Sequence, residues 1–150
     1  MNSILPAGRY FFKHKGYPLS DEEAFKDLAI VAYQYKNKKV PESLQETCDK
    51  DPDKLFRVFM SSRGKTYNDG YTGKLGLSLV PIISKIKDYY NRPRPKQLAE
   101  SLGMKFSGDY LESAQTPSYP SGHTIQAYVV ALYLSEQFPE LEEELFPLFW

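Results

Sequence analysis

Two short stretches hold the residue types that manage anions and protons: KIKDYYNRPRP at 85–95 and YPSGH at 119–123. In the first, Lys87 stands seven residues before Arg94, and Pro95 follows. On a helix, Ile83, Lys87, Tyr90 and Asn91 share a face, so Lys87 points the way the chain leaves toward Arg94. Pro93 and Pro95 stiffen that exit and lower the entropy lost in holding the arginine. An ammonium beside a planar guanidinium suits a tetrahedral oxyanion, one as a point charge and the other as two parallel donors. In the second stretch, Ser121 and Gly122 open an apolar run, where early N–H groups lack intrahelical partners and the helix dipole adds positive potential. Such a helix start binds phosphate, glycine lets the anion approach the backbone, and His123 follows within reach of a departing group. Each stretch also has a plain reading. The first fits a solvated basic helix end or a PxxP-type ligand, and the second an ordinary helix start with a partly exposed histidine.

The elements that must position these residues read as helices. SDEEAFKDLAIVAYQYK opens with Ser20 and Glu23 at capping-box spacing, followed by a stripe of Phe25, Leu28, Val31, Ala32 and Tyr35. DPDKLFRVFMSS suggests Asp51 as N-cap, Pro52 at the first helical position and a stripe of Leu55, Phe56 and Phe59. Four glycines between Gly64 and Gly76 predict a loop. A helix is then expected from about Pro81 to before Pro93, a short one over 96–103 closed by Gly103, and irregular chain over 104–119. The longest helix is expected from Ser121 to Gln137, apolar on most sides and therefore central, with another beginning in PELEEELFPLFW. No strand pairs or repeats appear. The fold class expected is all-α, a helical bundle, in one domain over 1–150 with 1–64 an N-terminal helical part and 65–150 the motif-bearing core.

Composition narrows the partners. With 19 basic and 19 acidic residues the formal net charge is zero, which argues against broad electrostatic capture of nucleic acid or an anionic membrane. The single cysteine, Cys48, offers neither a disulfide framework nor a thiolate metal cage, and fits a reducing compartment. Pro6, Gly8, Arg9 and Lys13 break up the N-terminus, so no signal peptide is expected. The longest apolar run, 127–134, falls well short of the roughly 20 residues that cross a bilayer. A soluble, cytoplasmic chain without a metal site is expected; oligomeric state is left open.

Together the two motifs resemble the first two signatures of the type-2 phosphatidic acid phosphatase and vanadium haloperoxidase superfamily, which includes soluble bacterial acid phosphatases. The resemblance spans about residues 75–140. It implies an all-helical bundle acting on a small phosphorylated substrate. By that resemblance Lys87, Arg94, Ser121 and Gly122 cradle the phosphate, His123 is the general acid, and turnover passes through a phosphohistidine without a cofactor. Lys85 with Arg92-Pro93 also satisfies the spacing. The soluble acid phosphatase branch resembles NRPRP in carrying an extra arginine two positions before the binding one. That favours Lys87 and Arg94, with Arg92 as a supporting charge.

The chain departs from the family pattern at its third motif, Ser-Arg-x5-His-x3-Asp, which supplies the nucleophilic histidine. Ser62-Arg63-Gly64 lies upstream of the first motif and has no histidine at the required offset, and His14 reads as a surface residue. The expectation is a chain cut before the nucleophile, and so inactive as it stands. Two alternatives remain open: a haloperoxidase with vanadate in the same cradle, or a non-catalytic helical binding protein. If one anion is bound, the heads of Lys87, Arg94 and His123 should converge within about 8 Å.

Overall fold

The computed structural model describes residues 20–37, 41–108 and 114–149. His14, the N-terminal segment and part of the expected irregular stretch lie outside them. Among the described residues the chain is helical without strands. The elements are α1 (Asp21–Lys36), α2 (Glu42–Lys50), α3 (Lys54–Ser62), α4 (Asp69–Tyr90), α5 (Pro95–Ser101) and α6 (Gly122–Gln137). A 3-10 turn (Pro139–Leu141), the short α7 (Glu142–Leu145) and a second 3-10 turn (Phe146–Phe149) follow.

The pair that positions the motifs is α4 against α6. α4 buries Thr72, Gly76, Leu79, Ile83 and Lys87, a stripe at helical spacing that ends on the motif lysine. Gln126 of α6 ties the pair together by donating to the Gly76 carbonyl at 3.0 Å. On α6, Val130, Ala131 and Leu134 are fully buried among Phe56 and Met60 of α3 and Leu141 and Leu145 of the C-terminal turns. Each large side chain in that cluster stabilises the fold by about 1.5–3 kcal/mol. A second cluster joins Ala24 and Leu28 of α1 to Leu98 and Ala99 of α5. It therefore anchors the helix that begins just after Arg94.

Local signals set several boundaries as expected. Ser20 and Glu23 form the complete capping box, and Ser121 caps α6 by accepting from Thr124 N at 3.3 Å. α6 runs to Gln137 as the pattern indicates. Asn91 adopts a left-handed conformation (φ 42°), and its N–H donates to the Lys87 carbonyl at 2.7 Å. That closes α4 just before the Pro93–Pro95 segment.

Four expectations need correction. The 64–76 segment is not a loop throughout, because α4 starts at Asp69 and absorbs Gly70, Gly73, Gly76 and Pro81. The cause is tertiary: Asn68 caps the start by accepting from Tyr71 N at 3.0 Å, and the buried stripe outweighs the glycine cost of about 1 kcal/mol each. Pro81 lies on an exposed face, where its missing hydrogen bond leaves a carbonyl that water can reach. At 22 residues α4, rather than α6 with 16, is the longest helix. α3 begins at Lys54 after Asp53, while Asp51 closes α2 and pairs with Arg57. Finally, α1 turns Ala24, Asp27, Leu28, Val31 and Tyr35 inward and leaves Phe25 54% exposed, because Asp27 must face Arg92. α2 itself was not anticipated, and none of its residues over 43–50 is fully buried.

Candidate functional site

Lys87 ends the buried stripe of α4 and is only 7% exposed, whereas Lys85 lies on the exposed side. The Lys87 ammonium donates to the carbonyl oxygen of Pro117. Burial and, after it, the nearby Arg94 guanidinium lower its pKa from the usual 10.5. No acidic side chain among the described residues pairs with it.

Arg94 is the N-cap of α5, held extended (ψ 155°) as residues before proline prefer, with Pro95 at the first helical position. Its backbone N–H donates to Gln97 Oε1 at 2.9 Å, and its Nε donates to the Thr116 carbonyl at 2.7 Å. The two motif cations therefore grip consecutive backbone carbonyls of one strap, residues 114–118. Ser118 fastens the strap from the other side: its N–H donates to the Arg92 carbonyl at 2.8 Å, and its hydroxyl to the Pro93 carbonyl at 2.8 Å. The Arg92 guanidinium turns away to Asp27 of α1. A pocket of about 520 Å³ opens between strap and helix start, walled by Arg92, Arg94 and Gln97 opposite Gln115 and Thr116. That volume is within the range of small-molecule sites.

At the head of α6, Ser121 is exposed and Gly122 half-buried. A Cβ built on Gly122 would meet Ile83 Cγ2 at 3.7 Å, so this helix start lies about one turn of α4 from Lys87. The Ser121 hydroxyl is engaged with Thr124, accepting from its N–H and from its hydroxyl at 2.9 Å. His123 keeps 41% of its side chain exposed and turns Nδ1 toward Asp49 Oδ1 of α2, 3.7 Å away. Lys87, Ser121, Gly122 and His123 do not line the Arg92–Arg94 pocket. The fold thus joins Lys87 to Arg94 through the strap, sets the α6 start beside Ile83, and gives His123 a partner from outside both motifs.

Sequence reasoning missed three participants: Asp49, Asp27 and the Thr116–Pro117 carbonyls. None carries a local signal, since Asp49 and Asp27 look like ordinary helix-surface acids and a carbonyl has no residue type. Arg63, from the upstream Ser-Arg pair, pairs with Glu144 and lies over the Phe59 ring at 5.2 Å, which ties α3 to the C-terminal turns. No helix among the described residues is long and apolar enough to cross a membrane. No metal-binding cluster occurs among those residues either.

A family model described as the PAP2 superfamily matches residues 74–150. Searches of curated proteins and of solved structures return no match.

Proposed function

Because the chain belongs to the PAP2 superfamily, a phosphatase-type family acting on small phosphorylated substrates, we propose that it binds the phosphoryl group of a phosphate monoester between α4, α5 and the start of α6. Lys87 and Arg94 take the phosphoryl oxygens, the Gly122 N–H and Ser121 complete the cradle, and Arg92 adds a supporting charge. His123 acts as general acid, passing a proton to the ester oxygen as the P–O bond breaks. In the complete family arrangement a second histidine attacks phosphorus, and water then splits the phosphohistidine. The Ser-Arg-x5-His-x3-Asp pattern is absent from these 150 residues. What we propose for these residues is therefore binding of the phosphoryl anion. Fixed cations and N–H dipoles supply the charge stabilisation, and no cofactor is invoked.

The observation that carries this reading is Lys87. A lysine 7% exposed, its ammonium donating to a backbone carbonyl and lying near the Arg94 guanidinium, is a buried positive charge that an anion would compensate. The strap carbonyls of Thr116 and Pro117 occupy the donors that a phosphate would use, so binding must displace or share them.

Calorimetric titration with inorganic phosphate and with vanadate tests the proposal. Binding is expected in the wild type and lost in Arg94→Ala. Equal affinity in both proteins rules the cradle out.

A further inference from the structure

We infer that Asp49, contributed by α2 outside the region matched to the family, is a positioning residue for His123. Its carboxylate holds the imidazole by Nδ1 and leaves Nε2 to serve the ligand. This rests on the phosphate-binding reading and adds to it a residue that neither motif contains.

Three observations meet at this contact. The Asp49 side chain is 5% exposed, so a carboxylate has been taken almost wholly out of water. It sits in the last turn of α2, where the helix dipole is negative and an acid is disfavoured. Both costs call for compensation, and His123, when protonated, is one group that can answer the charge. The third observation is direction: Nδ1, rather than Nε2, is the nitrogen facing the carboxylate, at 3.7 Å.

That direction has a chemical consequence. When the imidazolium gives its Nε2 proton to an ester oxygen, the Nδ1 proton stays behind, and the ring becomes the neutral Nδ1–H tautomer. An acceptor opposite Nδ1 stabilises that product state and fixes the ring plane, as carboxylates do behind functional histidines. Asp49 touches neither phosphate nor leaving group, so it acts only through His123. The present 3.7 Å is an ion-pair distance and too long for a hydrogen bond. It is expected to close when an anion occupies the cradle, as contacts at empty sites commonly do.

The test is the tautomer of the neutral His123 ring in the full chain saturated with inorganic phosphate, read from the nitrogen chemical shifts of ¹⁵N-histidine-labelled protein. The chain has two histidines, and His123→Gln assigns the signals. The wild type is expected to favour Nδ1–H. Asp49→Asn should shift the ratio toward Nε2–H by about tenfold, the ratio that a charge-assisted hydrogen bond commands. Asp49→Glu should restore much of it, which a merely space-filling role would not produce. The wild-type ratio needs no variant, so the inference stays testable even if Asp49→Asn does not fold. A wild-type majority of Nε2–H, or a ratio that Asp49→Asn leaves unchanged, overturns the inference. Phosphate titration alongside separates the two claims. Binding that ignores Lys87 and Arg94 sinks the proposed function, whereas Lys87-dependent binding with an Asp49-independent ratio sinks this inference alone.

Discussion

Lys87→Met separates an anion ligand from a structural staple. Methionine keeps most of the side-chain volume and removes the charge and its donors. In the ligand-free protein, the substitution loses the charge-assisted hydrogen bond to the Pro117 carbonyl, about 1.5–3 kcal/mol. It also relieves the burial of an ammonium and its repulsion from Arg94, the two effects that lower the Lys87 pKa. These oppose each other, so the net change in unfolding free energy by urea denaturation should stay within about 1 kcal/mol. Phosphate binding, where the ammonium serves the anion and the carbonyl together, loses its Lys87 contact outright. Losing 1.5–3 kcal/mol of contact lowers affinity by about 10- to 150-fold at 1.36 kcal/mol per decade. A pH series adds a sign. Because the folded-state pKa lies below 10.5, the unfolded chain binds more protons between that lowered value and 10.5. Wild-type stability should therefore gain from Lys87 as pH rises through this window, and the methionine variant should lack that gain. The reverse pattern, several kcal/mol of stability lost with phosphate affinity unchanged, would refute the reasoning and make Lys87 a staple for the strap.

Two further substitutions probe the scaffold beneath the site. Thr72 is fully buried on α4, and its hydroxyl donates to Asp53 Oδ2 at 2.8 Å and to the Asp69 carbonyl at 2.9 Å. Thr72→Val should cost about 1–3 kcal/mol in urea denaturation, since a part-buried carboxylate loses its donor; a neutral result would mean that water replaces it freely. The Tyr67 hydroxyl is buried with no hydrogen-bond partner among the described residues, and burial, with Asp53 next, pushes its pKa up to about 12. Tyr67→Phe should be neutral to stabilising by up to about 1 kcal/mol. In the wild type the folded state holds the phenolic proton while the unfolded chain releases it near pH 10. Stability should thus fall between about pH 10 and 12, and the phenylalanine variant should not share this Tyr67-dependent loss. A matching alkaline fall in both proteins counts against the buried-hydroxyl account.

Which parts of this protein were legible in its sequence follows from how far each interaction reaches along the chain. The capping box of Ser20 and Glu23 acts within three residues and lies where the pattern indicates, and the starts of α5 at Pro95 and of α6 at Gly122 fall within one residue of the positions expected. α4 was underread because Gly70, Gly73, Gly76 and Pro81 speak against helix locally, while the stripe from Thr72 to Lys87 gains its stability from tertiary partners, chiefly α6. The inward face of α1 was read correctly at Leu28, Val31 and Tyr35 but missed Ala24 and Asp27, the latter because it answers an arginine 65 positions away. The candidate site divides along the same line. Its donors could be named, since a lysine, an arginine and a histidine show their chemistry by type. Their partners could not, since Lys87 meets a carbonyl 30 residues on and Arg94 one 22 residues on. Every residue offers the same backbone carbonyl group, so only the path of the chain decides which one fills the place of an anion. The Lys87 and Arg94 variants are informative for that reason: they ask whether the strap carbonyls are the permanent partners of these cations or hold their place until phosphate arrives.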